Sequence, residues 1–499
     1  MQAGFAMLSA GSIRAKNVKN ILLKSVLDAC LGGIVWYLIG YGIACNAPPA
    51  PRARAVDGTI PERWSRWVGP GELYPHSIPH SIPPALHAQQ CSPPPLTCLL
   101  SALVSSALVS RSSCAYTDGG DNAFIGSSST NFALSGVIDT GATHAYGYDW
   151  VTFFFQYCFC AACATIVSGA VAERCQLGAY LVYCVVIIGF IYPVVVHWVW
   201  DSAGFLCGWN ANAINGGMID FAGSGVVHMT GGMAAMVGAK ILGPRLGRFE
   251  KGIPDSAFGG HSAALQVLGT FLLWFGWYGF NPGSTLFIHG YARDSARAAV
   301  TTTLSAASGA VTGLYIKRLL PSKLGGTPGV WDLGHTCNSL LGGLVGITAG
   351  TSVTTPFGAL VIGFLSAWVY HGGSCLMRKL KIDDPLDAFA VHGACGAWGC
   401  FAVGLFATKD YAYCGAPNNG AGGCDGGLFY GGMGALLGTQ ILGVFIEMAW
   451  VITLTSILFL SLKLAGILRT SADVERAGMD VSKHGGHAYP TEDATAASA

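Results

Sequence analysis

The sequence contains ten apolar stretches that are long enough to cross a lipid bilayer. A bilayer core of about 30 Å needs about 20 helical residues at a rise of 1.5 Å each. We predict spans near 20–45, 150–171, 178–198, 221–240, 261–280, 298–316, 333–351, 356–376, 388–407 and 430–462. Residues 1–10 are typical of the end of an earlier helix. The expected fold class is therefore an all-α polytopic membrane protein embedded in the lipid bilayer.

The composition excludes several other classes of protein. Only 11% of the 499 residues are charged, whereas soluble proteins carry about 25%. The net charge of +1 provides no basic surface for nucleic acid, so no nucleic-acid partner is expected. Cys158, Cys160 and Cys163 are better explained by core packing than by metal binding. Because no catalytic motif or phosphate-binding loop stands out, we expect neither an enzyme nor a bound cofactor or metal.

The distribution of basic residues predicts the orientation of the spans. Nineteen of the 27 lysines and arginines fall on the side that contains residues 11–24 and the tail. The positive-inside rule places this side in the cytoplasm, so both the tail and the start of the first full span are cytoplasmic. The opposite side carries a long segment at 46–148, and the proline-rich composition of its first part is typical of extended, unpacked chain.

Two histidines lie at matched depths in oppositely directed spans. His228 follows Asp220 by eight residues, and His392 follows Asp384 by the same number. Eight residues are about 12 Å of helix, which places both imidazoles near the middle of the bilayer core. Both occur in the motif Val-His-x-x-x-Gly, which suggests an inverted repeat with a site at the midplane. Each histidine could be a core residue bonded to a carbonyl, but the matched depth favours a pore-lining pair.

Other ionisable residues in the spans are less informative. Asp28 and Glu447 fall within predicted spans, where helix packing or an interface is the favoured role. His197 and His371 lie near the ends of spans, where the membrane interface can solvate them. These residues are therefore not assigned to a site.

Aromatic residues cluster at the outer ends of several predicted spans. Trp200, Phe280 and Ser284 lie there, and Phe159 lies nine residues into the span that begins at Trp150. Aromatic faces attract cations, more strongly when water is partly excluded, and a serine hydroxyl adds an acceptor. This combination suits a small monovalent cation. Each ring alone could equally be an interface-belt or packing residue, so the cluster by itself does not decide the function.

Several long motifs resemble those of ammonium transporters. They are MQAGFAMLSAGSIRAKN (1–17), FQYCFCAACATIVSGAVAER (155–174), YPVVVHWVW (192–200), IDFAGSGVVHMTGG (219–232), LLWFGWYGFNPGS (272–284) and KIDDPLDAFAVHGACGAWG (381–399). The tail motif GMDVSKHGG (478–486) is similar to the plant and algal branch of that family. The resemblance covers the chain except for 48–113 and the far tail.

The resemblance implies the fold and the division of the chain. Such proteins have eleven spans in two inverted five-helix halves and form homotrimers with one pore per subunit. Residues 1–462 would form the transmembrane domain, with a truncated first helix and an outer proline-rich insertion at 48–113. Residues 463–499 would form a cytoplasmic regulatory tail that contacts the neighbouring subunit.

The resemblance also implies roles for residues of the outer site. Trp200, Ser284 and Phe159 would recruit ammonium. The rings of Phe159 and Phe280 would form the gate. Asp220 would support the outer site from below as a structural carboxylate and would not be a ligand.

Deeper residues and the tail receive roles in the same way. His228 and His392 would form the pore pair, with Trp277 beside them. Ser482 occupies the position of a phosphorylatable threonine in plant members.

The implied function is ammonium transport across the plasma membrane, in which ammonium is deprotonated and ammonia passes the histidines. An ammonium sensor with little conduction and a neutral gas channel of the Rhesus type are the alternatives.

Overall fold

The structure is a computed structural model that describes residues 1–45, 122–126, 132–134, 147–201, 203–208, 210, 212–286, 288, 290–411 and 426–489. These residues belong to one compact unit, Met1–Asn46 and Gly119–Ala499. A second unit, Ala47–Asp118, lies outside the described residues. The insertion predicted at 48–113 therefore lies outside them as well.

Eleven helices in the described chain account for every predicted span. They are α1 (Gln2–Ser12), α2 (Ala15–Ala44), α3 (Trp150–Ala170), α4 (Leu177–Trp200), α5 (Ser224–Leu242), α6 (Ala263–Thr285), α7 (Ala292–Leu319), α8 (Leu333–Thr348), α9 (Pro356–Lys379), α10 (Phe389–Phe406) and α11 (Ala435–Leu464). Helix α1 matches the predicted end of an earlier helix, and α2–α11 match the ten predicted spans. The expected all-α fold is confirmed.

Eight of these helices are long and apolar enough to cross a membrane, and α1, α7 and α8 are not among them. Helix α7 has 28 residues but is rich in threonine and serine, while α8 has only 16 residues. Ser305 of α7 donates to the Gly343 carbonyl of α8 at 2.7 Å. The hydroxyls of Thr301 and Thr351 lie 2.8 Å apart. Hydroxyls on α7 are therefore bonded by α8 and by the residues that follow it, as is common where membrane helices meet.

Helices α5 and α10 cross with their backbones in contact. A Cβ added to Gly232 of α5 would lie 2.0 Å from the backbone nitrogen of Gly393. A Cβ added to Gly396 of α10 would lie 2.5 Å from the Ser224 carbonyl oxygen. Gly232 and Gly396 are the final residues of the two Val-His-x-x-x-Gly motifs. Equivalent glycines from the two halves therefore allow the close approach, which small residues permit in membrane bundles.

An ion-pair network ties the end of α5 to the start of α10. Arg245 contacts Glu173 at 2.6 Å and Asp383 at 2.8 Å. Arg14 also pairs with Glu173, and Arg174 donates to the Asp383 carbonyl oxygen at 2.6 Å. Burial alone would raise the pKa of the Asp383 carboxyl, but hydrogen bonds from Arg245 and the charges of Arg174 and Arg245 lower it to about 2. Because Arg245 follows α5 and Asp383 precedes α10, the two helices run in opposite directions.

The tail folds back onto this end of the helices. It contains the short helices α12 (Ala472–Ala477) and α13 (Met479–Lys483). The Asp480 carboxylate accepts the backbone N–H groups of Lys19 and Asn20 at 2.9 and 3.0 Å. A carboxylate is favourable near the start of a helix such as α2. Glu475 accepts the N–H of Leu246 at 2.7 Å. These contacts lie within one chain, and the contact with a neighbouring subunit stays a prediction.

The crossing of α5 and α10 gives a testable consequence for stability. Gly232→Ala should destabilise the purified protein by about 1–3 kcal/mol, or prevent folding, because overpacking forces the backbones apart. Gly438→Ala is the matched control, since an added Cβ on this glycine of α11 meets no atom within 4 Å. Thermal unfolding in detergent measures both. A Gly232→Ala protein as stable as the control would contradict the close crossing.

Candidate functional site

Five rings from five different helices follow one another through the bundle. Trp200 ends α4 and meets Phe159 of α3 edge to face, with ring centroids 5.6 Å apart. Phe159 stacks on Phe280 of α6 at 4.0 Å. Phe280 lies 5.4 Å from His228 of α5, which lies 5.2 Å from His392 of α10. The structure therefore joins the predicted outer cluster and the predicted histidine pair into one continuous series.

The stacked phenylalanines close the series near its outer end. Phe159 is 1% exposed and Phe280 is 3% exposed. Their planes are 28° from parallel, and a centroid separation of 4.0 Å leaves no room for an atom between the rings. Any solute that passes must first displace at least one ring. This geometry agrees with the gate that the resemblance implies.

The outer members of the site are partly exposed and are held by backbone carbonyls. The Trp200 indole N–H donates to the Asp220 carbonyl oxygen at 2.7 Å. The Ser284 hydroxyl donates to the Phe280 carbonyl oxygen at 2.7 Å. Ser284 therefore joins the site through Phe280, whereas Trp200 joins it directly through Phe159. Among the hydrogen bonds of the described residues, none joins Ser284 to Trp200.

Asp220 fixes the start of the helix that carries His228. Its side chain is buried, and its two oxygens accept four backbone N–H groups at 2.8–2.9 Å, from Gly223, Ser224, Gly225 and Val226. Those donors would otherwise be unpaired at a helix start. A negative charge is also favourable there. Because all four bonds point into the backbone, the geometry agrees with structural support.

The equivalent residue of the other half, Asp384, is bonded less completely. One oxygen accepts the Phe389 N–H at 2.8 Å, and the other has no partner among the described residues. Burial, and then the charge of Asp387, raise the pKa of the Asp384 carboxyl to about 7. Asp384 also lines a cavity of about 200 Å³. In the predicted orientation, this cavity lies at the cytoplasmic end of the helices. The two halves therefore share a fold but differ in how their first carboxyls are held.

The two histidines are in direct contact. Their Nδ1 atoms lie 3.1 Å apart, so one ring must donate a hydrogen and the other accept it. His228 is fully buried and His392 is 5% exposed. Trp277 stacks on His228 at 5.0 Å, and its indole N–H donates to Thr348 at 3.0 Å. The predicted pair is therefore formed and held in place, and the interpretation of each histidine as bonded to a carbonyl is not what the structure shows.

Both histidines lie in π-helical turns, Ser224–Met229 and Phe389–Ala394. Such turns are rare in helices and frequently occur at functional sites. Sequence reasoning missed them, because an extra residue in one turn leaves no mark in an apolar stretch. The His228 Nε2 atom has no hydrogen-bond partner among the described residues. It offers a polar contact to a small solute within an otherwise apolar series of rings.

A small cavity lies beyond His392. Its volume is about 20 Å³, and its lining includes Phe5, Thr165, Asn338 and Leu341. This space is sufficient for one water-sized molecule. The Phe5 ring of α1 lies 6.0 Å from the His392 ring. Sequence reasoning missed Phe5, because it treated residues 1–10 only as the end of a helix; the motif at 1–17 was the available signal.

Glu447 is the other residue whose surroundings were not foreseen. Helix packing or an interface is the predicted role, and the side chain is fully buried within the chain. Neither carboxyl oxygen has a hydrogen-bond partner among the described residues. An acidic residue inside a span is a functional hypothesis by default, and this signal was present in the sequence.

Comparisons with known proteins agree on one family. Residues 1–55 and 113–489 match the Ammonium Transporter Family. Ammonium transporter 1 member 2 of Oryza sativa subsp. japonica is 41% identical over 501 residues, covering 97% of this chain and 82% of the relative. Ammonium transporter 1 member 2 of Arabidopsis thaliana is 40% identical over 499 residues, covering 97% and 80%.

Solved structures give the same result for the fold. A structure named Sensor Amt Protein is 26% identical, with a TM-score of 0.68 over 97% of this chain and 94% of that one. The crystal structure of Candida albicans Mep2 is 25% identical, with a TM-score of 0.67 over 95% and 83%. The sequence matches, the eleven-helix fold and the series of rings lead to one conclusion: this chain is a membrane protein of the ammonium transporter family, in the branch of the plant ammonium transporter 1 proteins.

Proposed function

We propose that this protein transports ammonium across the plasma membrane, with residues 1–462 as the transport domain and 463–499 as a cytoplasmic regulatory tail. The observation that carries the proposal is the continuous series from Trp200 to His392, in which a stacked gate precedes a buried histidine pair. The plant relatives named ammonium transporters support the same substrate. We propose no cofactor and no enzymatic step.

The proposed site must distinguish ammonium from potassium. Ammonium and potassium are similar monovalent cations, and either would lose its hydration in the apolar space around Phe280 and His228. An unpaired charge in such surroundings costs many kcal/mol. Ammonium can avoid that cost by giving up a proton, whereas potassium cannot. A pore that accepts only the uncharged species therefore excludes potassium without a dedicated size filter.

The proposed order of events follows the rings inward. Ammonium is attracted to the aromatic faces of Trp200 and Phe159, and Ser284 supplies a hydroxyl oxygen. The Phe159 and Phe280 rings move apart, and the cation loses a proton at or near the gate. Ammonia then passes His228 and His392, whose ring nitrogens offer hydrogen bonds that replace water. It regains a proton on the cytoplasmic side.

Assembly and orientation are part of the same proposal. We infer a homotrimer with one pore in each subunit, and a cytoplasmic C-terminus, from the family and from the distribution of basic residues. The network of Arg245, Glu173 and Asp383 then lies at the cytoplasmic end of the helices. A sensor with little conduction is the second candidate, because one similar structure is named as a sensor.

Uptake measurements test transport directly. The chain is expressed in a yeast strain that lacks its own ammonium transporters, and methylammonium uptake is measured. Replacing both His228 and His392 by alanine should lower uptake by at least about tenfold, or ~1.4 kcal/mol in the barrier, because the solute loses its polar contacts. His371→Ala is the control, since this histidine lies outside the series and bonds the Leu324 carbonyl at 2.8 Å.

The outcomes separate the candidates. Unchanged uptake and unchanged exclusion of potassium in the double variant would contradict the role of the pair. A version that lacks 48–113 is tested beside the given chain. If both versions reach the plasma membrane and neither takes up methylammonium, the sensor candidate is favoured.

The tail provides a second test. Ser482 is exposed on α13, two residues from the buried Asp480 that contacts α2. A phosphate there would add a charge of about −2 beside that carboxylate and weaken the docking of the tail. Ser482→Asp should lower uptake severalfold, whereas Ser482→Ala should leave it unchanged. Equal uptake by both variants at equal surface expression would exclude regulation through this residue.

A further inference from the structure

One face of α11 packs against the segment that precedes α5. The Gln440 amide both donates to the Ile219 carbonyl and accepts the Ile219 N–H, each at 2.8 Å. A Cβ added to Gly443 would lie 2.5 Å from the Met218 sulfur. Glu447 lies one turn beyond Gly443 on the same helix face, as the spacing of three and four residues requires. The helix therefore holds the Glu447 side chain against the start of α5.

The carboxyl of Glu447 lies close to that of Asp220. A Cβ added to Gly225 would lie 2.7 Å from Oε2 of Glu447 and 3.3 Å from Oδ2 of Asp220. The Cys400 sulfur lies 3.0 Å from the same point. Glu447 and Asp220 are 0% and 4% exposed. Two buried acids therefore share the space beside one glycine of the helix that carries His228.

The two acids differ in how many hydrogen bonds their carboxyl oxygens accept. Asp220 accepts four backbone N–H groups, which stabilise its ionised form. Neither oxygen of Glu447 has a partner, and no lysine or arginine among the described residues pairs with either acid. A second carboxylate here would be a buried charge without compensation beside a negative neighbour, which is strongly unfavourable.

The other titratable groups around the pair offer no positive charge. They are the Cys400 thiol on α10, the Tyr192 hydroxyl on α4 and the His228 imidazole on α5. Tyr192 and Cys400 are buried, and the Tyr192 hydroxyl has no hydrogen-bond partner among the described residues. His228 already bonds His392. In this environment, a proton on its own carboxyl neutralises Glu447 at the lowest cost in free energy.

We propose that Glu447 holds a proton in the resting protein and forms with Asp220 a carboxyl pair that stores one proton behind the outer ammonium site. This inference rests on the proposed transport function. Release breaks the O–H bond of Glu447, leaves the electron pair on the carboxylate and passes the proton to bulk water. The pair then carries two negative charges instead of one.

The pair is connected to the outer site through Asp220. The Asp220 carbonyl oxygen accepts the Trp200 indole N–H at 2.7 Å, and Trp200 faces the proposed ammonium position. Ionised Glu447 therefore attracts a cation at Trp200, and a bound cation in turn favours ionisation of Glu447. By linkage, ammonium binds more tightly as pH rises and Glu447 loses its proton.

Kinetics of methylammonium uptake test this coupling. The apparent KM, expressed as concentration of the cation, should fall as pH rises in the wild-type protein. The attraction of one additional buried negative charge at an effective dielectric of about 20 corresponds to a change of roughly tenfold. Glu447→Gln keeps the size and the polar carbonyl but cannot ionise, so its KM should not change with pH. Its maximal rate should stay near that of the wild type.

A buried acid elsewhere provides the control. Asp28 of α2 accepts from Thr165 at 3.0 Å and from the Cys184 thiol at 3.1 Å, and belongs to neither the rings nor the pair. Asp28→Asn should keep the wild-type dependence of KM on pH. If Glu447→Gln also keeps it, the coupling of Glu447 to the outer site is wrong.

Infrared spectroscopy of the purified protein tests the stored proton without transport. The carbonyl bands of protonated carboxylic acids, which shift in D2O, should include in the wild type and in Asp28→Asn one band that is lost in Glu447→Gln, beside any band from Asp384. Glu447→Leu gives the same test if the glutamine variant folds poorly. A spectrum unchanged by both substitutions would overturn the proposal. If the wild type takes up no methylammonium, the transport function fails, and the infrared result still decides whether Glu447 is protonated.

Discussion

The close crossing of α5 and α10 positions the two histidines at the centre of the bundle. Gly232 and Gly396 let the two backbones touch, and a side chain at either position would collide with the opposite helix. Since each histidine lies four residues before its glycine, the crossing brings the two imidazoles together. The ion pairs of Arg245 with Glu173 and Asp383 fix one end of this helix pair, and Asp220 fixes the start of α5 at the other. The contact between the two backbones therefore brings the residues of the site together.

The distribution of charge follows from the same arrangement. Charged groups are concentrated in the ion-pair network of Arg245, Glu173 and Asp383 at one end of the helices, where each group contacts more than one partner. The rings between Trp200 and His392 are apolar or neutral. Burying a cation without partners costs far more free energy than its attraction to a single aromatic ring provides. In the proposed mechanism, the bundle therefore attracts a cation at its outer end and excludes it from its interior. Glu447 departs from this pattern, because it is buried within α11 and neither of its carboxyl oxygens has a hydrogen-bond partner among the described residues.

Much of the fold could be predicted from the sequence, because a membrane span needs only length and low charge. The ten spans coincide with α2–α11, and the matched depth of His228 and His392 correctly indicated contact. Local features could not be predicted. The π-helical turns and the stacking of Phe159 on Phe280 depend on contacts between distant helices. The environment of Glu447 depends on Asp220, which lies far from it in sequence, and the docking of Asp480 on α2 likewise has no local signal.

We propose that the interior of the protein conducts an uncharged species and excludes cations. The most direct measurement is the flux of methylammonium and of potassium into lipid vesicles that contain only the purified chain. We expect methylammonium to enter faster than into protein-free vesicles, while potassium enters no faster. Potassium entry at a rate comparable to that of methylammonium would show an open cation pore and would exclude the proposed mechanism.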